Sequence, residues 1–273
     1  MAKRYIAFII LLTLPRLSFG AFDYPAFSAR NAALSNSYIA STLVWDGFVV
    51  NPALSANASS FYAALNYSQL FNLKDLRYAN GLAVMPVGSL GLGLSIENFG
   101  NSLYSENKLT INASKLLYNN KLAVGVSFSV YHISATRYNS SSTFGLTLGI
   151  QYRVLPKLYL AGVIENINQP TINGFGEEIP QRIKAGFQFA PAEELRAHLT
   201  VQKDSYFSPE VLFGVEYQLF NNVDLFSGYS TFVTTPSFGL ALNVAKIEAS
   251  YAMQYHFDLG ATHFVGIAFN AGS

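Results

Sequence analysis

Leu122-Ala123-Val124-Gly125-Val126-Ser127-Phe128-Ser129-Val130 alternates without a break. Leu122, Val124, Val126, Phe128 and Val130 fall on one side; Ala123, Gly125, Ser127 and Ser129 fall on the other. A strand shows successive side chains to opposite faces. This segment therefore predicts a strand with one face as apolar as a lipid tail and the other small and polar. The pattern returns in Phe144, Leu146, Leu148, Ile150 and Tyr152, and in Leu195, Ala197, Leu199 and Val201 against Arg196, His198, Thr200 and Gln202. It returns again in Ile247, Ala249, Tyr251 and Met253 against Lys246, Glu248, Ser250 and Gln254. Such repetition is the mark of a transmembrane β-barrel.

Composition agrees. Of 273 residues, 51% are hydrophobic and 12% charged, where a soluble domain carries about 25% charged residues. After residue 20 no apolar run approaches the roughly 20 residues of a spanning helix. The absence of cysteine excludes disulfides, thiolate metal sites, cysteine catalysis and a lipoprotein anchor. A net charge of +1 gives no reason to expect nucleic acid as a partner. His132, His198, His256 and His263 do not stand at metal-ligand spacing, and no Gly-x-Ser-x-Gly elbow occurs. A hydrolase would need Ser and His on adjacent strands; Ser250 and His263 can be placed so, but serine is abundant throughout the chain. The expectation is a non-enzyme with no catalytic residue, no metal and no cofactor.

Residues 1–20 read as a signal peptide. Lys3 and Arg4 precede the apolar Tyr5–Leu14, and Ser18-Phe19-Gly20 suits cleavage before Ala21. Residues 60–273 read as the barrel, with fourteen strands of the length a tilted membrane strand needs. They are Phe61–Gln69, Leu76–Pro86, Leu90–Asn98, Lys108–Leu117, Leu122–His132, Thr143–Arg153 and Leu158–Asn166. Gln181–Ala190, Leu195–Lys203, Glu210–Leu219, Val223–Ser230, Ser237–Val244, Lys246–Tyr255 and Thr262–Asn270 complete the set. Tight turns alternate with longer loops, Phe99–Asn107, Ile133–Ser142 and Ile167–Pro180, as short periplasmic turns alternate with external loops. That parity places both termini on the short-turn, periplasmic side. Tyr67, Tyr78, Tyr152, Tyr217 and Tyr255 lie near strand ends, where aromatic girdles form.

Residues 21–59 do not alternate. Ser28–Ala40 suits a short helix, and Asn51-Pro52-Ala53-Leu54 a turn. Inward positions of the strands are meanwhile rich in small residues: Gly91, Gly93, Gly125, Gly145, Gly149, Gly186, Gly214, Gly239 and Ala241. Glycine weakens a strand unless something must approach its backbone. The leading segment is the candidate occupant, folded into the lumen as a hatch or plug.

At these residues the chain resembles a known family. Phe27-Ser28-Ala29-Arg30-Asn31-Ala32-Ala33-Leu34 with Tyr38-Ile39-Ala40, and Asp46-Gly47-Phe48-Val49-Val50-Asn51-Pro52-Ala53-Leu54, are similar to the opening motifs of the PorV/PorQ family. Glu216-Tyr217, Asn221-Asn222-Val223-Asp224-Leu225-Phe226-Ser227-Gly228-Tyr229 and Asp258-Leu259-Gly260-Ala261-Thr262-His263 are similar to its last hairpins. Ser35-Asn36 stands where the family has Gly-Gly. The resemblance implies kinship with FadL-type fourteen-stranded transporters of hydrophobic compounds with an N-terminal hatch. It also implies an alternative, a non-transporting scaffold or shuttle of a type IX-like secretion system.

The candidate hatch or gate residues are Arg30, Trp45, Asp46, Asn51 and Pro52, as a ligand-released latch or as structural pins. Arg182, Lys184, Arg196, His198, Glu216, Lys246 and Glu248 are expected to line the lumen, as a head-group site or as hydrated wall with cross-strand charge pairs. Tyr62, Tyr159 and Val163 are apolar inward candidates for a ligand path. The leading expectation is an outer-membrane channel in contact with outer-membrane lipid, taking a small hydrophobic ligand; secretion-system proteins are the partners of the alternative.

Overall fold

The computed structural model describes residues 20–24, 26–42, 46–137, 140–172, 177–231 and 235–272. Trp45 and residues 1–19 of the expected leader lie outside them. The strands are β1 Tyr62–Gln69, β2 Arg77–Val87, β3 Leu90–Gly100, β4 Tyr104–Leu117, β5 Leu122–Ala135, β6 Ser141–Leu155 and β7 Leu158–Glu165. A two-residue ribbon follows, β8 Thr171–Ile172 with β9 Glu177–Glu178. Then come β10 Arg182–Phe189, β11 Leu195–Asp204, β12 Glu210–Phe220, β13 Val223–Ser230, β14 Thr235–Val244, β15 Ile247–His256 and β16 Gly260–Asn270.

Apart from the ribbon, these strands form one closed antiparallel barrel of fourteen, each paired with its neighbour along the chain. β16 closes on β1, with Asn270 opposite Tyr62 and His263 opposite Gln69. Closure leaves no unpaired edge, which hydrocarbon would not tolerate. All fourteen strands expected from the alternation are present. Leu65, Ile111, Phe144, Ile183, Phe238 and Ile267 stand exposed on the outer face. Ser95, Ser127, Ser129, Asn112 and Gln254 are buried on the inner face. Tyr67, Tyr152, Tyr217 and Tyr255 are exposed near strand ends. Tyr78 differs: it is 1% exposed and points inward, donating its hydroxyl to Glu97 at 2.9 Å. Its position shares inward parity with Asn80, and closeness to a strand end does not by itself give the face.

One end of the barrel carries the connections 88–89, 118–121, 156–157, 190–194, 221–222 and 245–246. The other end, here the mouth, carries 70–76, 101–103, 136–140, 166–181, 205–209, 231–234 and 257–259. Most of the expected loop Phe99–Asn107 and half of Ile133–Ser142 are strand. β3 and β4 stay paired out to Gly100 opposite Ser105, and Asn101 Oδ1 closes the hairpin by accepting from the Leu103 and Tyr104 amides at 2.7 and 3.2 Å. Apolar alternation stops where lipid stops, but backbone pairing does not depend on lipid.

Candidate functional site

The leading segment lies inside the barrel, and its local structure follows from its sequence. Helix α1 (Ala29–Ala33) is capped by Ser28, whose hydroxyl accepts from the Asn31 amide at 3.1 Å. It ends in a Schellman turn: the Asn36 amide donates to Asn31 O and the Ser35 amide to Ala32 O, both at 3.0 Å. Ser35 and Asn36 take the left-handed backbone, φ 49° and 60°. These are the positions where the resembling family has Gly-Gly, so the glycine-like backbone is kept without glycine. Asn51 caps a 3-10 helix, Pro52–Asn57, with Oδ1 accepting from the Ala53 amide at 3.0 Å.

The barrel wall binds this segment along its length. Asn51 Nδ2 donates to Ile39 O at 2.7 Å and to Ile150 O on β6 at 3.2 Å. Asn112 Nδ2 on β4 donates to Pro52 O at 3.1 Å. Thr200 donates to Ser37 O at 2.6 Å, Ser237 to Ala33 O at 2.9 Å, and Gln254 to Ala32 O at 3.0 Å. Inward glycines allow the approach. A Cβ on Gly91 would run into the Ser55 carbonyl, and one on Gly125 into Pro52. Gly145 and Gly186 face their own wall neighbours instead. An apolar layer completes the joint: Leu34, Ile39, Phe48 and Leu54 share a buried cluster with the inward Leu82, Val84, Phe226 and Phe264.

The first described residues of the segment lie near the mouth, not at the short-turn end that parity suggested. The Phe22 amide donates to Glu106 at 2.6 Å, and Arg182 Nη2 contacts Asp23 Oδ1 at 2.5 Å, both close to the mouth. Phe22 packs with Tyr131, Ile133, Ile172 and Ile179, burying its ring under the 166–181 loop. Residues 20–24 thus sit at the opposite end from residues 60 and 272, because their aromatic rings find cover there. The chain then descends to β1.

The sequence candidates separate into two groups. Deep in the lumen, Arg30 lies between Glu216 Oε2 (3.5 Å) and Glu248 Oε2 (3.2 Å), with its guanidinium 4.9 Å from the Phe226 ring centroid. His198 Nε2 is 2.8 Å from Glu216 Oε1, and Arg196 is 4.0 Å from Glu216 Oε2. Asp46 accepts from Ser28 (2.5 Å) and Tyr38 (3.0 Å). Burial works to lower the Arg30 pKa, but Glu248, Glu216 and Asp46 together hold it above its ordinary value, so it stays charged. Burial, with Asp46 next to it, pushes the Tyr38 phenol well up, so it remains a donor. Lys246 is apart from this group, exposed in the turn before β15 rather than in the lumen; its inward parity lapses where the strand ends.

Arg182 and Lys184 belong to the second group, around a cavity of about 280 Å³ at the mouth. Arg182 bridges Asp23 (2.5 Å) and Asp204 (3.0 Å); Lys184 pairs with Glu165 (2.6 Å) and Lys108 with Glu97 (3.2 Å). Arg182 faces Asp204 and Glu165 across both strand pairings, and Lys108 faces Glu97. Sequence reading missed Glu97, Lys108, Glu165, Asp204 and Glu210. Glu97 was legible from its parity with Gly91, Gly93 and Ser95. Glu106 was hidden by the loop assigned to 99–107. Tyr62, Tyr159 and Val163 do not line this cavity. Ser250 and His263 fall on opposite faces: Ser250 lines a small inner pocket, while His263 bonds the exposed Tyr251 at 2.7 Å. No group of three or more potential metal ligands occurs among the described residues.

No family model and no curated protein matches this sequence. Solved structures do match in fold. A structure described as the CymD monoaromatic hydrocarbon channel aligns at TM-score 0.70 and 12% identity, over 92% of this chain and 98% of that one. The Pseudomonas putida toluene transporter TodX aligns at TM-score 0.68 and 10% identity, over 93% and 100%. A Pseudomonas aeruginosa FadL homologue aligns at TM-score 0.59 and 10% identity, over 90% and 97%. The chain thus shares its barrel fold with these structures over nearly its whole length.

Proposed function

We propose that this protein is an outer-membrane channel for small hydrophobic compounds, with residues 21–59 as a hatch that must move for a ligand to pass. The observation that carries the reading is a lumen filled from within by the chain's own leading segment, above which a cavity remains at the mouth. Structures of this fold described as hydrocarbon channels and toluene transporters support it. The short turns then face the periplasm and the mouth faces outside. Residues 1–20 are read as a leader removed before Ala21, which the mass of the mature protein checks. Arg30, Asp46, Asn51 and Pro52 lie in the motifs that carry the PorV/PorQ resemblance; Arg30, Asn51 and Pro52 meet the wall, and Asp46 ties the segment to itself through Ser28 and Tyr38. The secretion alternative finds no support in the structural relatives.

The chain has no cysteine, so an engineered pair gives a clean test. Ser55 Oγ and Ser114 Oγ stand 2.6 Å apart, segment to wall. In Ser55→Cys/Ser114→Cys, oxidation is expected to cut uptake of a hydrophobic compound at least tenfold, and reductant to restore it. Uptake indifferent to the crosslink would remove the gate. Cells with and without the wild-type protein that take up hydrophobic compounds equally would remove the channel.

A further inference from the structure

The cavity at the mouth has two unlike sides. Its apolar surface comes from the leading segment, chiefly Phe22, Phe27 and Phe48, and from the mouth connections, through Phe71, Ile179 and Phe207. Among the described lining residues, Leu212 is the one aliphatic side chain contributed by a barrel strand. The other strand side chains there are hydroxyl, amide, phenol, imidazole and charge. A ligand that was only apolar would lie against one side and leave the other unanswered. A compound with a ring or short chain at one end and a polar group at the other satisfies both.

The sign of that polar group follows from how the wall charges are committed. Arg182, Lys184 and Lys108 each already hold a carboxylate, at 2.5 to 3.2 Å. An incoming carboxylate would have to displace one of them and leave a part-buried charge unpaired, which is costly. Glu210 is placed differently. Its carboxylate is held by neutral donors, Gln202 Nε2 at 2.7 Å and Ser230 Oγ at 3.0 Å. No basic side chain among the described residues makes an ion pair with it. His256 faces the cavity too, but its Nδ1 accepts from the Asp258 and Leu259 amides at 3.1 and 3.2 Å. A cation therefore finds a carboxylate that makes no ion pair among the described residues, in a cavity that also carries aromatic rings, whereas an anion finds its partners taken.

We infer that the cavity selects hydrophobic amines, cations carrying an aromatic or short aliphatic body, over the corresponding acids, with Glu210 as the residue that reads the charge. This rests on the proposed reading of the lumen as a ligand path and names its substrate class.

The test is calorimetric titration of the mature wild-type chain in detergent with three water-soluble probes of one skeleton: phenethylamine, 2-phenylethanol and phenylacetate. The amine is expected to bind at least fivefold tighter than the alcohol, and the acid weakest. Glu210→Gln should weaken the amine until it binds within twofold of the alcohol. A heat-dependent gel shift confirms that the variant is folded. Equal binding of all three probes, acid binding that matches the amine, or an amine preference that survives Glu210→Gln overturns the inference and leaves hydrophobic uptake standing. Binding of none of the three counts against both readings.

Discussion

Arg30 is the residue on which the packed lumen most depends. It is buried with two glutamates that lie on strands far apart in the chain, Glu216 and Glu248. Removing one member of such a group leaves the others buried without compensation, at about 3–5 kcal/mol. Arg30→Met is therefore expected to loosen the segment and not the barrel. Limited proteolysis should cut within residues 21–59, while the wall keeps its heat-dependent gel mobility. Adding Glu248→Gln should recover part of the protection, since Glu248 has no other ion pair among the described residues, whereas Glu216 keeps His198 and Arg196 beside it. Asn51 contributes through hydrogen bonds instead. Asn51→Ala leaves the Ala53 amide and the Ile39 carbonyl short of partners, at about 1–3 kcal/mol each when buried. The same protease assay should show partial, weaker loosening.

At the scale of an element, the barrel strands divide their work by face. Leu148 on β6 is exposed on the outer face, while its neighbours Gly149 and Gln151 meet the segment inside. An arginine on the lipid side near the midplane costs about 2–4 kcal/mol. Leu148→Arg should lower stability by that amount in urea unfolding from lipid vesicles, with the segment still protected in the folded fraction. Gly125→Val should do the opposite. Valine suits a strand, but its side chain would occupy the place of Pro52. The wall should fold with nearly wild-type stability and the segment should become protease-sensitive. A pair of variants that separates wall stability from segment docking would show that the two faces are energetically independent.

At the scale of the whole molecule, two apolar systems are stacked. One is the outer surface, which needs lipid. The other is the cluster between segment and wall, from Leu34 and Phe48 to Phe226 and Phe264. A barrel lacking residues 21–59 would expose Leu82, Val84, Phe226 and Phe264 to a water-filled lumen. Such a truncation is expected to insert but to conduct ions in planar bilayers, in steps absent from the wild-type chain. A truncated barrel that stays closed would mean the wall collapses inward without its filling.

The strand set was legible because lipid imposes one rule on every strand: an outward polar side chain is costly, so alternation marks each strand and its face. The glycine-rich inner face likewise announced that something approaches it. The rule fails where lipid is absent. It ended β3 and β5 too early, because their paired extensions stand beyond the apolar band. It also placed Tyr78 with the girdle, although the ring turns inward. The same rule could not foresee the inward Leu82, Val84, Phe226 and Phe264, whose partner is the chain's own segment.

By itself, the sequence determined the barrel: its strand number, its outer face and the presence of a non-alternating leader. Those follow from local periodicity against a uniform solvent. Tertiary structure decided which charges meet. Arg30 finds Glu216 and Glu248, and Arg182 finds Asp23 and Asp204, across separations along the chain that no periodicity encodes. It also decided that Glu210 makes no ion pair among the described residues, since only the three-dimensional pairing shows which carboxylates meet a cation.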